Sequence, residues 1–163
     1  MRLNFIGSAI GIILRLFSIM LLLPCIVAII EKDYFSIVPF IVASGFSLFL
    51  GLILKINQES LDSLNLIKKS EVLFTVAASW VSICLISAIP YLFYGITPLN
   101  ALFEATSGIT TTGATILTHF DYPRAMFLWR SLSQWLGGMG IIVLFIAILP
   151  QFRIAGRQMF YAE

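Results

Sequence analysis

Charge is scarce in this sequence: Lys, Arg, Asp and Glu make up 11% of its 163 residues, against 60% hydrophobic residues and a mean hydropathy of +1.01. That balance excludes an ordinary soluble domain, in which about a quarter of the residues are charged. Histidine occurs once, at His119, and cysteine twice, at Cys25 and Cys84, each inside an apolar run. No disulfide framework or zinc spacing can be built from these residues, and the two thiols read as small buried hydrophobes. A net charge of +2, with no interleaved run of basic and aromatic residues, gives no footing to a nucleic-acid partner. Also missing are a His-Glu-x-x-His motif, paired aqueous carboxylates and a Ser/His/Asp set. A membrane enzyme would lack its acid, base and nucleophile, so no catalytic or cofactor-binding residue is assigned.

What the sequence does have is long apolar runs. A bilayer-spanning helix needs about 17 to 25 apolar residues, and the stretches 5–30, 37–54, 71–94 and 125–149 are of that kind. An all-α integral membrane protein is expected. Cys25 follows Leu21-Leu22-Leu23-Pro24, a loose match to a lipoprotein processing site, but Pro24 fits it poorly and the apolar run is longer than a signal-peptide core. The run is therefore read as a retained helix, kinked at Pro24. Arg15 lies well inside it, where a charge costs about 2.5 to 3.5 kcal/mol on insertion scales; it is expected to snorkel or to pair with a neighbouring helix. Pro39 falls in the first turn of the second span, where a missing N–H is harmless. Residues 57–70 form a polar amphipathic segment in which Leu61, Leu64, Leu66 and Ile67 suit the membrane interface. This linker divides the chain into a two-helix leader, 1–70, and a second unit, 71–163. The third span is expected to end at Pro90 and at interfacial Tyr91, Tyr94 and Gly95.

Between the third and fourth spans stands Thr106-Ser107-Gly108-Ile109-Thr110-Thr111-Thr112-Gly113-Ala114-Thr115. Successive β-branched threonines disfavour helix, and Gly113 can adopt backbone angles that most residues resist. Non-helical backbone at membrane depth is tolerated only where it is buried in protein or lines a watery path. The segment ahead of it, Pro98 to about Ser107 with Thr97 as cap, is too short to cross: at about 1.5 Å per residue it reaches halfway. A short re-entrant helix leading into a Thr/Gly loop reads as a pore helix and an ion filter, loop 110–115, whose carbonyl oxygens replace the hydration shell of a cation. The helix's C-terminal end, carrying about half a negative charge, favours a cation there. Glu104 is expected to hold the loop through buried hydrogen bonds, because a fixed carboxylate ligand would bind a divalent cation too well for rapid release.

His119, Asp121, Tyr122, Pro123 and Arg124 read as an aqueous loop, with His119 a solvated residue. Arg130 and Gln134 either sit at the interface or hydrogen-bond the back of the filter. Gly137-Gly138-Met139-Gly140 offers a smooth face for close helix packing, a gating hinge being the alternative. Under four spans, Arg2, Lys55, Lys68, Lys69, Arg153 and Arg157 fall on one side, and Lys32 and Arg124 on the other. The excess of basic residues puts both termini in the cytoplasm and opens the loop outward.

Phe103-Glu104-Ala105 continuing through Thr115, then Trp135-Leu136-Gly137-Gly138-Met139-Gly140-Ile141-Ile142-Val143 and Ala147-Ile148-Leu149-Pro150, closely resemble the TrkH potassium-uptake family. The resemblance covers essentially the whole chain, and the leader is more similar to the TrkH branch than to the shorter Ktr relatives. It implies four helix-pore-helix repeats around a pseudo-fourfold pore, preceded by two extra helices. It also implies backbone carbonyls of Thr111 and Thr112 as potassium ligands, with Gly113 as the pivot of the filter. A dimer in the bacterial inner membrane and a cytosolic, nucleotide-binding Trk regulatory subunit follow from the same resemblance. The chain carries the leader and one repeat, so the expectation is the N-terminal part of a Trk-type potassium transporter. Its partners would be the remaining three pore repeats, or other copies, and membrane lipid. Two alternatives are a self-assembling tetrameric cation channel and a non-conducting, truncated membrane interaction protein.

Overall fold

The computed structural model describes residues 3–54, 69–119 and 121–160. Helix α1 covers Leu3–Met20, α2 Leu23–Ile30, α3 Ile37–Ile53, α4 Lys69–Phe93, α5 Pro98–Ile109 and α6 Arg124–Phe160, with a 3-10 turn over Tyr34–Ser36 before α3. No strand occurs among the described residues. By length and composition, Ile6–Ile30, Tyr34–Ile53 and Ser70–Phe93 are able to cross a membrane. The amphipathic segment expected over 57–70 lies, but for its last two residues, outside the described residues.

Pro24 does more than kink the first span; it divides it. Proline has no N–H to donate to the preceding turn, and the chain tightens around it into i→i+3 bonds: Leu22 donates to Ile19 O and Cys25 to Leu22 O, both at 3.1 Å. At the far end of α2, Lys32 takes a left-handed φ of 58°. Its N–H reaches Ile29 O at 3.1 Å, and that of Asp33 reaches Ala28 O at 2.9 Å, the paired bonds of a Schellman motif.

In lipid there is no hydrophobic force between helices, so close approach through small residues and interhelical hydrogen bonds holds them together. The leader uses both. A Cβ built on Gly11 would lie 2.6 Å from the Leu54 carbonyl oxygen, and one on Gly51 would lie 2.9 Å from that of Gly11. Ser47 Oγ donates to Leu14 O and Ser44 Oγ to Ser18 O, both at 2.8 Å. Arg15 Nε donates to Gly51 O at 2.9 Å, so this charge pairs with the neighbouring helix.

The third span ends where its apolar run does, at Phe93 before Gly95 with φ +79°, but Pro90 takes no part in stopping it and lies inside the helix; helices at membrane depth absorb a proline when neighbours supply the packing. Tyr91 is not interfacial but fully buried, because the leader folds back over this face. Phe17 of α1 and Phe40 of α3 meet Trp129 of α6 edge-on, with centroids 5.8 and 6.2 Å apart. Trp129 Nε1 donates to Ser87 O of α4 at 3.3 Å. Leader and second unit thus share one core that contains Phe17, Phe40, Tyr91 and Trp129. Helix α6 passes the expected stop at Leu149, continuing through Pro150 to Phe160; at about 1.5 Å per residue it is far longer than a bilayer core of about 30 Å.

Candidate functional site

Helix α5 begins where Thr97 and Pro98 predict: Thr97 is the extended N-cap (φ −61°, ψ 152°), and its carbonyl accepts the Ala101 N–H at 2.8 Å. Its 12 residues span about 18 Å, too little to cross. The C-terminal end outlasts the expected boundary at Ser107, reaching Ile109, so Thr110 is its C-cap and not free loop.

The chain then leaves α5 through a second Schellman motif. Thr111 N–H donates to Gly108 O and Thr112 N–H to Ser107 O, both at 3.0 Å. Thr111 sits at φ +57° and Gly113 at φ +76°. For glycine that region is free, but for a β-branched residue it is an outlier. The amides of 111 and 112 point back into the helix end. The carbonyls of Thr111, Thr112 and Gly113 accept no hydrogen bond from the described residues, and all three residues are exposed.

Beyond Gly113 the backbone is fastened down. Ser107 Oγ donates to Ala114 O at 2.6 Å. Glu104, 1% exposed, receives Thr115 Oγ1 and Ile116 N–H on one carboxylate oxygen, at 2.5 and 2.7 Å. Its other oxygen receives Arg130 Nε at 3.1 Å. Glu104 therefore holds the loop, as expected. Of the two readings open for Arg130, the structure selects the one behind the loop. Gln134, half-buried, is not among the groups on that carboxylate.

Helix α6 backs this arrangement at very short range. A Cβ built on Gly137 would fall on the Ile109 carbonyl, 2.7 Å from its carbon; one on Gly108 would strike Ser133 Oγ; one on Gly140 would lie 3.2 Å from the Trp80 ring. The glycine face is a packing surface within an unbroken helix. Nearby, an apolar groove of about 520 Å³ lies between α1, α4 and α6, with Phe17, Trp80, Ile109 and Gly137 among its walls. It offers an ion almost nothing to bind. His119 is exposed and stacks on Tyr122 at 5.5 Å.

Three features of the site were missed by reading the sequence. The left-handed Thr111 is hidden because glycine normally marks this position. The Thr115 hydroxyl and the Ser107 hydroxyl fasten the loop, and their spacing from Glu104 carries no motif.

A short re-entrant helix set between two long helices, and ending in an irregular loop, defines the helix-pore-helix unit of a membrane transport protein. The family model TrkH, described as a cation transport protein, matches residues 53–163, and the chain belongs to that family. The "Trk system potassium uptake protein TrkH" of Vibrio parahaemolyticus is 35% identical over 168 residues, covering 100% of this chain and 34% of the relative. The TrkH of Escherichia coli is likewise 35% identical, over 100% of this chain and 34% of its own length. The "Trk system potassium uptake protein TrkI" of Halomonas elongata is 48% identical over 52% of this chain and 18% of the relative. The crystal structure of the potassium transporter TrkH from Vibrio parahaemolyticus superposes with a TM-score of 0.79 at 29% identity, over 99% of this chain and 37% of that one. The chain thus spans about a third of the length of these TrkH relatives and matches their N-terminal part. Family members are transporters, not enzymes.

Proposed function

We propose that this chain is the N-terminal part of a Trk-type potassium transporter of the bacterial inner membrane, and that loop 110–115 is one quarter of its selectivity filter. The carbonyls of Thr111 and Thr112 are the potassium ligands, and Gly113 is the pivot that presents them. One observation carries the reading: at the end of a half-length helix, two left-handed residues turn the amides inward and leave the carbonyls of 111–113 without partners among the described residues. Unpaired carbonyls at membrane depth cost several kcal/mol each unless something meets them. A dehydrated cation does so, with oxygens in place of its hydration shell, and the negative end of α5 adds to the attraction.

A single loop covers one side of an ion. Three further loops, from the rest of a full-length transporter, complete the ring, and the exposed apolar faces of α3, α4 and α6 meet those repeats, a second transporter or lipid. The leader is 1–70 and the pore repeat 71–163, with both termini cytoplasmic and 31–36 and 116–124 outside. A cytosolic nucleotide-binding subunit is the expected regulator. The test is a chimera in which this chain replaces the matching third of Vibrio parahaemolyticus TrkH, reconstituted in liposomes. Potassium flux well above sodium flux supports the reading; an assembled chimera with equal fluxes contradicts it.

A further inference from the structure

We infer that Arg130 is a positioning residue for ion selectivity, acting on the filter loop through the Glu104 carboxylate. This rests on the reading of 110–115 as a filter quarter. The two oxygens of Glu104 have separate duties: one takes both loop donors, Thr115 Oγ1 and Ile116 N–H, and the other takes Arg130. The Glu104 side chain is wholly buried and that of Arg130 is 21% exposed. A carboxylate in such surroundings is tolerated when it is both paired and hydrogen-bonded. Arg130 thus orients and neutralises the group that the loop hangs from. Residues 111–113 are held between two fastenings, the Schellman bonds to α5 on one side and the 114–116 contacts on the other. Loosening the second lets the carbonyls shift, and a ring that fits potassium by geometry loses its preference.

The experiment measures the potassium-to-sodium flux ratio of the chimera described above, alongside its thermal unfolding. Glu104→Gln and Arg130→Gln should each lower the ratio at least about tenfold, the lower end of the worth of one hydrogen bond to a charged group. In the double variant, the amide introduced at position 104 accepts from the loop through its oxygen and donates through its nitrogen to the amide introduced at position 130, so most of the ratio should return. A role confined to stability would not give that recovery in the ratio. Thr115→Val, at an exposed position, removes one of the two loop donors to Glu104 and also the acceptor of the Leu117 N–H, and should lower the ratio at least about twofold; it reports on the fastening even if the charged variants fail to reach the membrane. Unchanged ratios in Thr115→Val and in whichever single variants assemble would overturn the inference, as would a double variant no better than its worse single. A wild-type chimera without selectivity, or a Gly113→Ser variant with an unaltered ratio, would instead sink the filter reading and this inference with it.

Discussion

Helices α2 and α5 end in the same hydrogen-bond pattern and put it to different uses. Each closes with a Schellman pair, and each places a residue other than glycine in the left-handed position, Lys32 at φ 58° and Thr111 at φ 57°. After Lys32 the chain returns to helical hydrogen bonding at once: Ser36 N–H donates to Asp33 O at 3.2 Å, Ser36 Oγ meets Asp33 Oδ2 at 2.5 Å, and α3 begins. After Thr111 comes a second left-handed residue, Gly113, and then an irregular stretch held by Ser107 and Glu104. The closing motif only turns the chain. A second positive φ and a fastening downstream of it are what convert a turn into a row of free carbonyls.

Breaking the support behind the α5 end should have the largest effect. Gly137→Ala drives a methyl group onto the Ile109 carbonyl, and overpacking of this kind costs about 1 to 3 kcal/mol or more. Thermal unfolding of the detergent-solubilised chimera should show a large fall or loss of assembly. Gly45→Ala, which meets nothing within 4 Å, should be neutral or stabilising by up to about 1 kcal/mol.

Gly113→Ser comes next. The site has room for a Cβ, so the penalty is conformational, about 1 to 2 kcal/mol for a left-handed residue. It should appear as a reduced potassium-to-sodium flux ratio with a smaller fall in unfolding temperature than Gly137→Ala gives. Smaller again is a paired test of the two helix ends. Lys32→Gly and Thr111→Gly each relieve up to about 1 kcal/mol of left-handed strain, yet only Thr111→Gly should alter the ratio, because under the proposed function it loosens the backbone that would meet the ion. Least of all is Arg124→Gln. Arg124 reaches Glu31 at 2.8 Å beside the α2 end, but its side chain is 82% exposed, and such pairs contribute about 1 kcal/mol or less, so the unfolding temperature and the flux ratio should both stay close to wild type.

Much of this arrangement is legible in the residues. Apolar run lengths give the helices, Thr97-Pro98 gives the start of α5, and buried Glu104 can be foreseen as the loop's anchor. What escapes has a common cause: it depends on neighbours distant in sequence. Tyr91 looks interfacial beside Pro90 and Gly95 until Phe17, Phe40 and Trp129 are folded over the same region. Arg130 is open to two readings, because Glu104 lies 26 positions away and no local pattern decides between them. Thr111 conceals its turn because the hydrogen bonds of α5 and the fastening at 114–116 impose a conformation that its own side chain disfavours.

Under the proposed function, ions are met by backbone at 111–113 and not by the carboxylate behind it. Anomalous diffraction from crystals of the chimera grown in rubidium or thallium salts distinguishes the two. Anomalous density is expected on the pore side of the loop, within coordination distance of the Thr111 and Thr112 carbonyl oxygens, with Glu104 still bonded to Thr115, Ile116 and Arg130. Density centred on the Glu104 carboxylate, or an ion path that bypasses the loop, would contradict it.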